Sequence, residues 1–194
     1  MHWQACWICW CPVSERERLF FALWPTDELR DNLLKQTHAA LNTCGGRVIP
    51  PRNLHLTLVF LGALDAAQRH CVERSADELR AEGFTLELTD LDYWRRPRVV
   101  GCRVKAIPAA LSDLVDGLRS LGRVCGAKVE SRPFAPHLTV MRKAQRAPQK
   151  PLVAPLAWPV REFHLVRSQT LPQGASYQRI YTWRLSEVPT TPAL

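Results

Sequence analysis

The spacing of apolar and polar residues predicts a strand, a helix and a second strand in the first third of the chain. An apolar run over residues 18–24, closed by a proline, predicts a short strand. A helix is then expected from about Asp27, with leucines on its inner side, and the Gly45–Gly46 pair ends it. In residues 54–61 both alternating faces carry apolar side chains, which is typical of an inner strand of a sheet.

The rest of the pattern repeats this plan. Asp65 is a suitable N-cap for a second helix that ends at Gly83. Apolar residues at helical spacing between positions 111 and 121 predict a third helix, which Gly126 can end. The basic, proline-interrupted residues 142–155 predict a surface loop. Further strands are predicted at residues 84–91, 99–106, 163–168 and 177–185.

The order of these elements indicates the fold class. Strands and helices alternate, but short connections and adjacent strand pairs favour mixed or antiparallel sheets over a doubly wound parallel sheet. The prediction is therefore an α+β fold with an internal duplication. We expect one domain over residues 18–186, a Cys/Trp-rich leader without ordered structure over 1–17, and a frayed tail over 187–194.

The chain is basic, with a formal net charge of +8. This charge favours an anionic partner, with nucleic acid first and an anionic membrane surface second. No apolar run approaches the roughly 20 residues that a membrane-spanning helix needs, and the apolar fraction of 46% is ordinary for a soluble globular protein. We therefore expect a monomer in the cytoplasm that does not enter a membrane.

The seven cysteines are scattered and odd in number, so a disulfide framework is not expected. Cys6, Cys9 and Cys11 form a C-x-x-C-x-C cluster in the leader. This cluster is either a metal-binding tract, with His2 as a possible fourth ligand, or part of an extension without structure or from an upstream start codon. No second pair of similar spacing follows, which favours the extension, and the cysteine usage as a whole suggests a reducing compartment.

The triplet His-Leu-Thr occurs twice, at residues 55–57 and 137–139, and each copy follows a proline-rich segment. Two such triplets are expected by chance about once in a thousand chains of this composition. Imidazole is the side chain best suited to proton transfer near neutral pH, and in a strand the threonine two residues later points to the same face. Two facing copies would place two proton-transfer groups and two hydroxyls around one small anion, which predicts a catalytic site.

Longer segments around these triplets resemble a known family. The segments RLFFALWPTDELRDNL, PPRNLHLTLVFLG and SRPFAPHLTVMR, and the ending SQTLPQGASYQRIYTWRL, are similar to the 2H phosphoesterases, and among them to the RNA 2′,3′-cyclic phosphodiesterases, also called 2′-5′ RNA ligases. The resemblance covers about Leu19 to Leu185. It implies a bilobal fold with a central cleft that holds both motifs.

The same resemblance implies hydrolysis of a terminal RNA 2′,3′-cyclic phosphate to a 2′-phosphate, without a metal or other cofactor. It makes His55 the proton donor and His137 the proton acceptor, with an RNA of tRNA-like or oligonucleotide type as partner. The residues support this chemistry independently, because free imidazoles near pKa 6.5 can act as acid and base together. Thr57 and Thr139 can donate hydrogen bonds to the phosphate oxygens.

The fifth residue after each histidine is a further candidate. Arg142 is expected to bind the phosphate, since the family often has an arginine there, and Phe60 could stack on a base. Strict strand alternation puts both on the face opposite the histidines, so each qualifies only if the strand ends or bulges before it. The aromatic and basic run over residues 93–98 either guides an RNA strand or forms a solvated edge.

Two alternatives to hydrolysis stay open at this point. The same acid–base pair could, by microscopic reversibility, serve a ligase that joins a cyclic-phosphate end to a 5′-hydroxyl through a 2′-5′ bond, so the sequence does not separate the two activities. Alternatively, the cleft could bind RNA without turning it over, although the presence of both histidines and both threonines argues against this. The serines and cysteines have no companion base, so nucleophilic catalysis is not expected.

Overall fold

The computed structural model describes residues 16–149, 154–172 and 174–187. The cysteine cluster of the leader and most of the predicted tail lie outside the described residues. Residues 16 and 17, which the sequence assigns to the leader, are described, and Glu17 begins the first strand. No helix in the described part is long and apolar enough to cross a membrane.

Three helices and nine strands make up the described residues. The helices are α1 (Asp27–Leu41), α2 (Ala66–Asp77) and α3 (Ala109–Val124). The first strands are β1 (Glu17–Leu23), β2 (Arg47–Val48), β3 (Leu56–Leu64), β4 (Phe84–Trp94) and β5 (Val99–Val104). The others are β6 (His137–Arg142), β7 (Leu156–Val160), β8 (Glu162–Leu171) and β9 (Gly174–Arg184), and a 3-10 turn spans Pro51–Asn53.

The strands form one sheet in the order β7-β4-β5-β6-β3-β1-β8-β9, with the short β2 paired to β6. Every pairing between these strands is antiparallel. The order is symmetric about the junction of β3 and β6, because each of these strands is followed outward by three more. The predicted α+β fold with an internal duplication is confirmed. The two halves of the duplication meet where the two His-Leu-Thr triplets lie.

The starts of α1 and α2 and the buried side of α3 agree with the sequence pattern. Thr26 caps α1 by accepting a hydrogen bond from the Leu29 amide at 3.2 Å, and Asp65 forms a capping box with Gln68 at the start of α2. The apolar stripe of α3 is buried, namely Leu111, Leu114, Val115, Leu118 and Leu121. These side chains belong to the main hydrophobic core, which also contains buried residues of β3, β4 and β5.

Two elements differ from the sequence prediction because of tertiary pairing. The second helix ends at Asp77 rather than Gly83, because the Gly83 amide donates to the Ser186 carbonyl at 2.8 Å and the Ser186 amide donates to Ala81. The prediction places no strand at residues 156–160, yet β7 forms there as an edge strand. Its Pro159 explains the weak pattern, since proline removes a ladder donor and is tolerated only at sheet edges.

The expectation that disulfides play no part needs a correction for one pair. Cys71 in α2 and Cys125 at the end of α3 are joined, with their Cα atoms 5.6 Å apart. The two helices pack against each other, which brings together residues separated by 54 positions in the sequence. Sequence spacing alone does not reveal this, because the contact depends on how the helices cross. The bond links a helix of the first half to a helix of the second.

Candidate active site

The two motif histidines lie at the centre of the sheet. His55 immediately precedes β3 and His137 begins β6, and the two strands are neighbours, with Leu56 paired to Leu138. The junction therefore brings both triplets together, as the sequence predicts. Burial is the main cause that lowers the pKa of His55, and Arg142 and His137 add a smaller lowering, so both groups lie close enough to act on it.

Both imidazoles are held in the same way. The Nδ1 atom of His55 lies 2.7 Å from the Asn53 carbonyl oxygen, and that of His137 lies 2.8 Å from the Ala135 carbonyl oxygen. A carbonyl can only accept, so each Nδ1 carries the proton and donates. This fixes one tautomer for each ring and leaves each Nε2 available for proton transfer. The segments that supply the carbonyls are the proline-rich lead-ins noted in the sequence.

A matched pair of β-bulges puts the fifth residue of each motif on the histidine face. Along β1 the partners of Phe21 and Ala22 are Val59 and Thr57, so Leu58 is an extra residue without a partner on that strand. The consequence is visible in burial, because Leu58 and Val59 are both buried while Phe60 is 58% exposed. The Phe20 ring lies 5.2 Å from His55 and 5.7 Å from Phe60, which places Phe60 beside the histidine.

The second motif has the same irregularity. Along β5 the partners of Val100 and Gly101 are Met141 and Thr139, which leaves Val140 as the extra residue. Val140 and Met141 are both buried, and Arg142 is exposed. A bulge restarts the strand alternation one residue later, and this removes the geometric objection to Phe60 and Arg142.

His55 is enclosed by aromatic rings. Trp24 stacks on it with ring centroids 5.1 Å apart and an interplanar angle of 16°, and Tyr177 meets it edge-on at 4.9 Å. Phe20 completes the enclosure. Burial among these rings lowers the pKa of His55 to about 4, the hydrogen bond to the Asn53 carbonyl acts to raise it, and the nearby Arg142 and His137 act to lower it. In the free protein His55 is therefore neutral at pH 7.

His137 has a more open environment. It has one aromatic neighbour, Trp94, with ring centroids 4.8 Å apart and an interplanar angle of 45°. Gly101 makes this approach possible, because a Cβ at that position would lie 3.0 Å from both the Trp94 ring and the Leu138 carbonyl oxygen. The aromatic and basic run of the sequence thus contributes Trp94 to the site, while Arg95 and Arg96 stay exposed.

The motif threonines occupy equivalent places. Thr57 and Thr139 are both half-buried and share the histidine face of their strands by alternation. Their cross-strand partners are small, with Ala22 opposite Thr57 and Gly101 opposite Thr139. The hydroxyls therefore have room to meet a ligand held between the strands. All six residues that the sequence proposes for the site lie at or beside the junction of the two halves.

The sequence did not indicate several residues that shape the site. Phe20, Trp24 and Tyr177 come from β1, its following loop and β9, so no local spacing marks them as neighbours of His55. Arg47 and Arg52, which line a groove beside the site together with Asn53, were also missed. Of the other described histidines, His38 and His70 are exposed, and His164 is buried with its Nδ1 atom 2.9 Å from the Thr182 hydroxyl.

The chain resembles known proteins over most of its length. Residues 25–171 match the 2'-5' RNA ligase superfamily. The chain belongs to this superfamily. The RNA 2′,3′-cyclic phosphodiesterase of Escherichia coli (strain K12) is 34% identical over 176 residues, which cover 90% of this chain and all of the relative. The protein of the same name from Thermus thermophilus is 32% identical and covers 82% of this chain and 86% of the relative.

Solved structures give the same assignment. The E. coli LigT structure in apo form matches with a TM-score of 0.83 and 34% identity, over 89% of this chain and 99% of that one. A LigT structure in complex with 3′-AMP matches with a TM-score of 0.82 over 88% of this chain and 99% of that one. This superfamily member is therefore an enzyme of the phosphodiesterase class, as the sequence predicts.

Within the described residues, no group of three or more His, Cys, Asp or Glu side chains is arranged to hold a metal ion. The donors at the site are instead two imidazoles, two hydroxyls and a guanidinium. In each imidazole the Nδ1 atom is hydrogen-bonded to a backbone carbonyl, which leaves Nε2 to meet a ligand. The set as it stands can transfer protons and neutralise the charge of a small anion.

Proposed function

We propose that this enzyme hydrolyses RNA ends that carry a 2′,3′-cyclic phosphate and leaves a 2′-phosphate. The observation that carries the proposal is the pair of anchored imidazoles, each with a free Nε2, at the junction of two central strands beside Arg142. The names of the E. coli and T. thermophilus relatives support the choice of substrate. The net charge of +8 suits a polyanionic partner. We propose that it acts on oligonucleotide or tRNA-like ends as a monomer.

The proposed reaction needs two proton transfers, and the protein's own side chains carry out both. His137 accepts a proton from water through Nε2, and the water oxygen forms a new bond to phosphorus. The bond from phosphorus to the ribose O3′ breaks, and His55 donates a proton to that oxygen. The products are a 2′-phosphate and a 3′-hydroxyl, and the proton gained by His137 returns to solvent. Each transfer contributes about 10²–10⁴-fold to the rate.

The remaining groups bind the charge of the phosphate. Thr57 and Thr139 donate hydroxyl hydrogen bonds to the non-bridging oxygens, and the guanidinium of Arg142 offsets the negative charge that grows in the transition state. Phe60 provides an exposed ring for a base. These donors are fixed on strands, so they need little rearrangement when the substrate arrives.

His55 can donate only after it has gained a proton, because its pKa in the free protein is about 4. An anionic phosphodiester beside the ring favours the charged imidazolium and raises its pKa. We propose that substrate binding supplies this change. Burial and, to a smaller extent, the Arg142 guanidinium act on this pKa in the opposite direction.

The test uses an oligonucleotide that ends in a 2′,3′-cyclic phosphate, incubated with the pure protein and EDTA. We expect a 2′-phosphate product in the presence of the chelator and none from the His55→Ala/His137→Ala double variant. A 3′-phosphate product, or activity that returns only when a divalent metal is added, would contradict the proposal.

Ligation is the second candidate, and the name of the superfamily supports it. The same acid–base pair would then activate a 5′-hydroxyl in place of water. Supplying a second RNA with a 5′-hydroxyl in the same assay separates the two directions, because ligation gives a longer product with a 2′-5′ bond. Tight binding of the cyclic-phosphate RNA without either product would indicate a silent binding module.

A further inference from the structure

Two grooves adjoin the catalytic histidines, and they differ in charge. The first, the phenylalanine groove, has a volume of about 300 Å³ and is lined by Thr57, Phe60, Phe134 and His137, with Arg119, Glu130 and Arg132 at its edge. The second, the arginine groove, has a volume of about 460 Å³ and is lined by Arg47, Arg52, Asn53, Arg142 and Tyr177 among others. Each groove contains a residue of the proposed site, namely His137 in the first and Arg142 in the second, so both border the site.

The arginine groove concentrates positive charge. Its arginines come from β2, the 3-10 turn and β6, and the described residues that line it include no Asp or Glu. Arg47 and Arg142 are direct cross-strand partners. An anionic ligand in this groove would lie close to the guanidinium groups of Arg52 and Arg142, and opposite charges at such distances attract each other.

The groove is also tied to the catalytic centre. The Asn53 side chain donates to the Ala175 carbonyl of β9 at 2.9 Å, which joins the two walls of the groove. The Asn53 carbonyl in turn accepts the Nδ1 hydrogen bond of His55 at 2.7 Å. Tyr177 lines the groove and touches the His55 ring. A ligand that fills the groove would thus contact the residues that hold His55.

Both arginines that line the phenylalanine groove have an acidic partner. Arg132 donates to Glu130 at 2.8 Å, and Arg119 lies 3.8 Å from the Asp116 carboxylate. Its apolar part is the exposed ring of Phe60 together with the half-buried Phe134. Rings of this kind stack on nucleobases, which have uncharged faces.

From this difference we infer the polarity of RNA binding, which rests on the function proposed above. The arginine groove is a subsite for the phosphodiester that precedes the terminal nucleotide, and the base of the terminal nucleotide lies in the phenylalanine groove. The cyclic phosphate lies between them, at the histidines. The enzyme should accordingly prefer an oligonucleotide to a single nucleoside 2′,3′-cyclic phosphate, since only the oligonucleotide has a preceding phosphate.

The test compares two substrates with the same terminal nucleoside, a mononucleoside 2′,3′-cyclic phosphate and a tetranucleotide ending in that group. Arg52→Glu is the variant, because Arg52 is exposed and lies outside the residues proposed to touch the cyclic phosphate. Arg161→Glu is the matched control, an exposed arginine between β7 and β8 that lines neither groove. The readout is the ratio of kcat/KM for the two substrates in each protein, measured over a range of salt concentrations.

We expect the wild-type protein to prefer the tetranucleotide and Arg52→Glu to lower that preference about tenfold, mainly through KM. The salt dependence for the tetranucleotide should weaken by about one unit of slope in Arg52→Glu, and Arg161→Glu should behave as wild type. Equal losses on both substrates in Arg52→Glu, or no preference in the wild-type protein, would overturn the inference.

The experiment also distinguishes a failure of the proposed function from a failure of the proposed subsite. If the wild-type protein hydrolyses neither substrate, the function is wrong, and the groove is then tested by binding alone. Fluorescence anisotropy with a labelled tetranucleotide that ends in a 2′-phosphate provides that measurement. Weaker binding by Arg52→Glu than by Arg161→Glu would still support the subsite, and equal binding by both variants would reject it.

Discussion

The two halves of the site carry the same motif in different surroundings. Each histidine donates Nδ1–H to the carbonyl two residues before it, and each strand bulges at the third residue after the histidine. His55, however, is enclosed by Phe20, Trp24 and Tyr177, whereas among the described residues Trp94 is the one aromatic ring packed on His137. The two halves therefore share the anchoring of the histidine and the bulge, and they differ in the aromatic side chains that neighbouring strands supply.

The asymmetry has a simple structural origin. The first motif strand is followed outward by β1, β8 and β9, which bring aromatic side chains to its histidine face. The second is followed by β5 and β4, where the corresponding neighbours are Gly101 and the single Trp94. A duplicated fold can thus place two chemically equal groups in two different environments, and for His55 the enclosed environment lowers the pKa.

The largest expected effect concerns the histidines themselves. Either His55→Ala or His137→Ala should lower kcat by about 10³-fold or more, and the double variant should be little worse than each single one, because the two groups act in one step. Steady-state hydrolysis of a cyclic-phosphate oligonucleotide measures this. His70→Ala, an exposed histidine on α2, is the matched control. Near wild-type turnover in either single variant would mean that the two halves do not cooperate.

The disulfide between the halves should affect stability and not chemistry. Replacing both Cys71 and Cys125 by serine should lower the free energy of unfolding by about 4 kcal/mol, as expected for a loop closed over 54 positions, while kcat changes less than about twofold. Urea denaturation and a parallel activity assay test both parts. A large loss of kcat in a protein of unchanged stability would place the bond in the catalytic machinery instead.

The free energy of unfolding should be lower in acid than at neutral pH, because two histidines of this protein have lowered pKa values. Burial lowers the pKa of both His55 and His164 to about 4, whereas an unfolded histidine titrates near 6.5. The unfolded state therefore binds more protons between these values, and stability falls as the pH drops from about 6.5 to 4. For His164, which is 1% exposed, the loss approaches about 3 kcal/mol.

The measurement is the free energy of unfolding by urea at pH 7 and at pH 4.5. A His164→Gln variant should show a smaller difference between the two pH values, because one of the two buried groups no longer titrates. His38→Gln, at an exposed site on α1, should leave the difference unchanged. An identical pH dependence in wild type and His164→Gln would refute the argument.

Substitutions of Arg142 and Phe60, the fifth residues after the two histidines, should show how much charge and base stacking each contribute to kcat/KM. Arg142→Ala should lower kcat/KM about 100-fold, because it removes a charged donor from the phosphate, and Phe60→Ala should lower it about tenfold by weakening base contact. Arg142→Lys should recover part of the activity, since charge is kept and the planar fork is lost. If Phe60→Ala has the larger effect, the second motif does not supply the main phosphate contact.

The smallest expected effect is a shift in the proton affinity of His55. Trp24→Leu opens the stacked face of the ring to water and should raise the pKa of His55 from about 4 towards its ordinary value by about one unit. Titration of the imidazole by NMR provides the value, with Tyr181→Leu as an aromatic control that stacks on Trp183 instead.

The same titration with a bound 2′-nucleotide tests the donor role. We expect the negative phosphate to raise the pKa of His55 well above 4. No change on binding would reassign the donor role to His137.

Much of this fold could be predicted from the sequence, because its elements carry strong local signals. The strand at residues 17–23, the helix that Thr26 caps and the buried stripe of α3 follow directly from apolar spacing and capping chemistry. The sequence did not predict the boundaries and strands that depend on pairing between distant parts of the chain. The end of α2 at Asp77 depends on Ser186, and the edge strand β7 depends on β4.

The residues of the candidate site likewise fall into those that the sequence predicts and those that only the tertiary structure places. The sequence by itself determined the two histidines, the two threonines and the proline-rich lead-ins, because these residues are contiguous and repeated. It could not determine whether Phe60 and Arg142 face the site, since strict alternation predicts the opposite. Only the tertiary structure decided this, through bulges at Leu58 and Val140 that arise in the pairing with β1 and β5. The structure likewise decided which histidine is buried, because the rings around His55 come from distant parts of the chain, and a pKa depends on all neighbours in space.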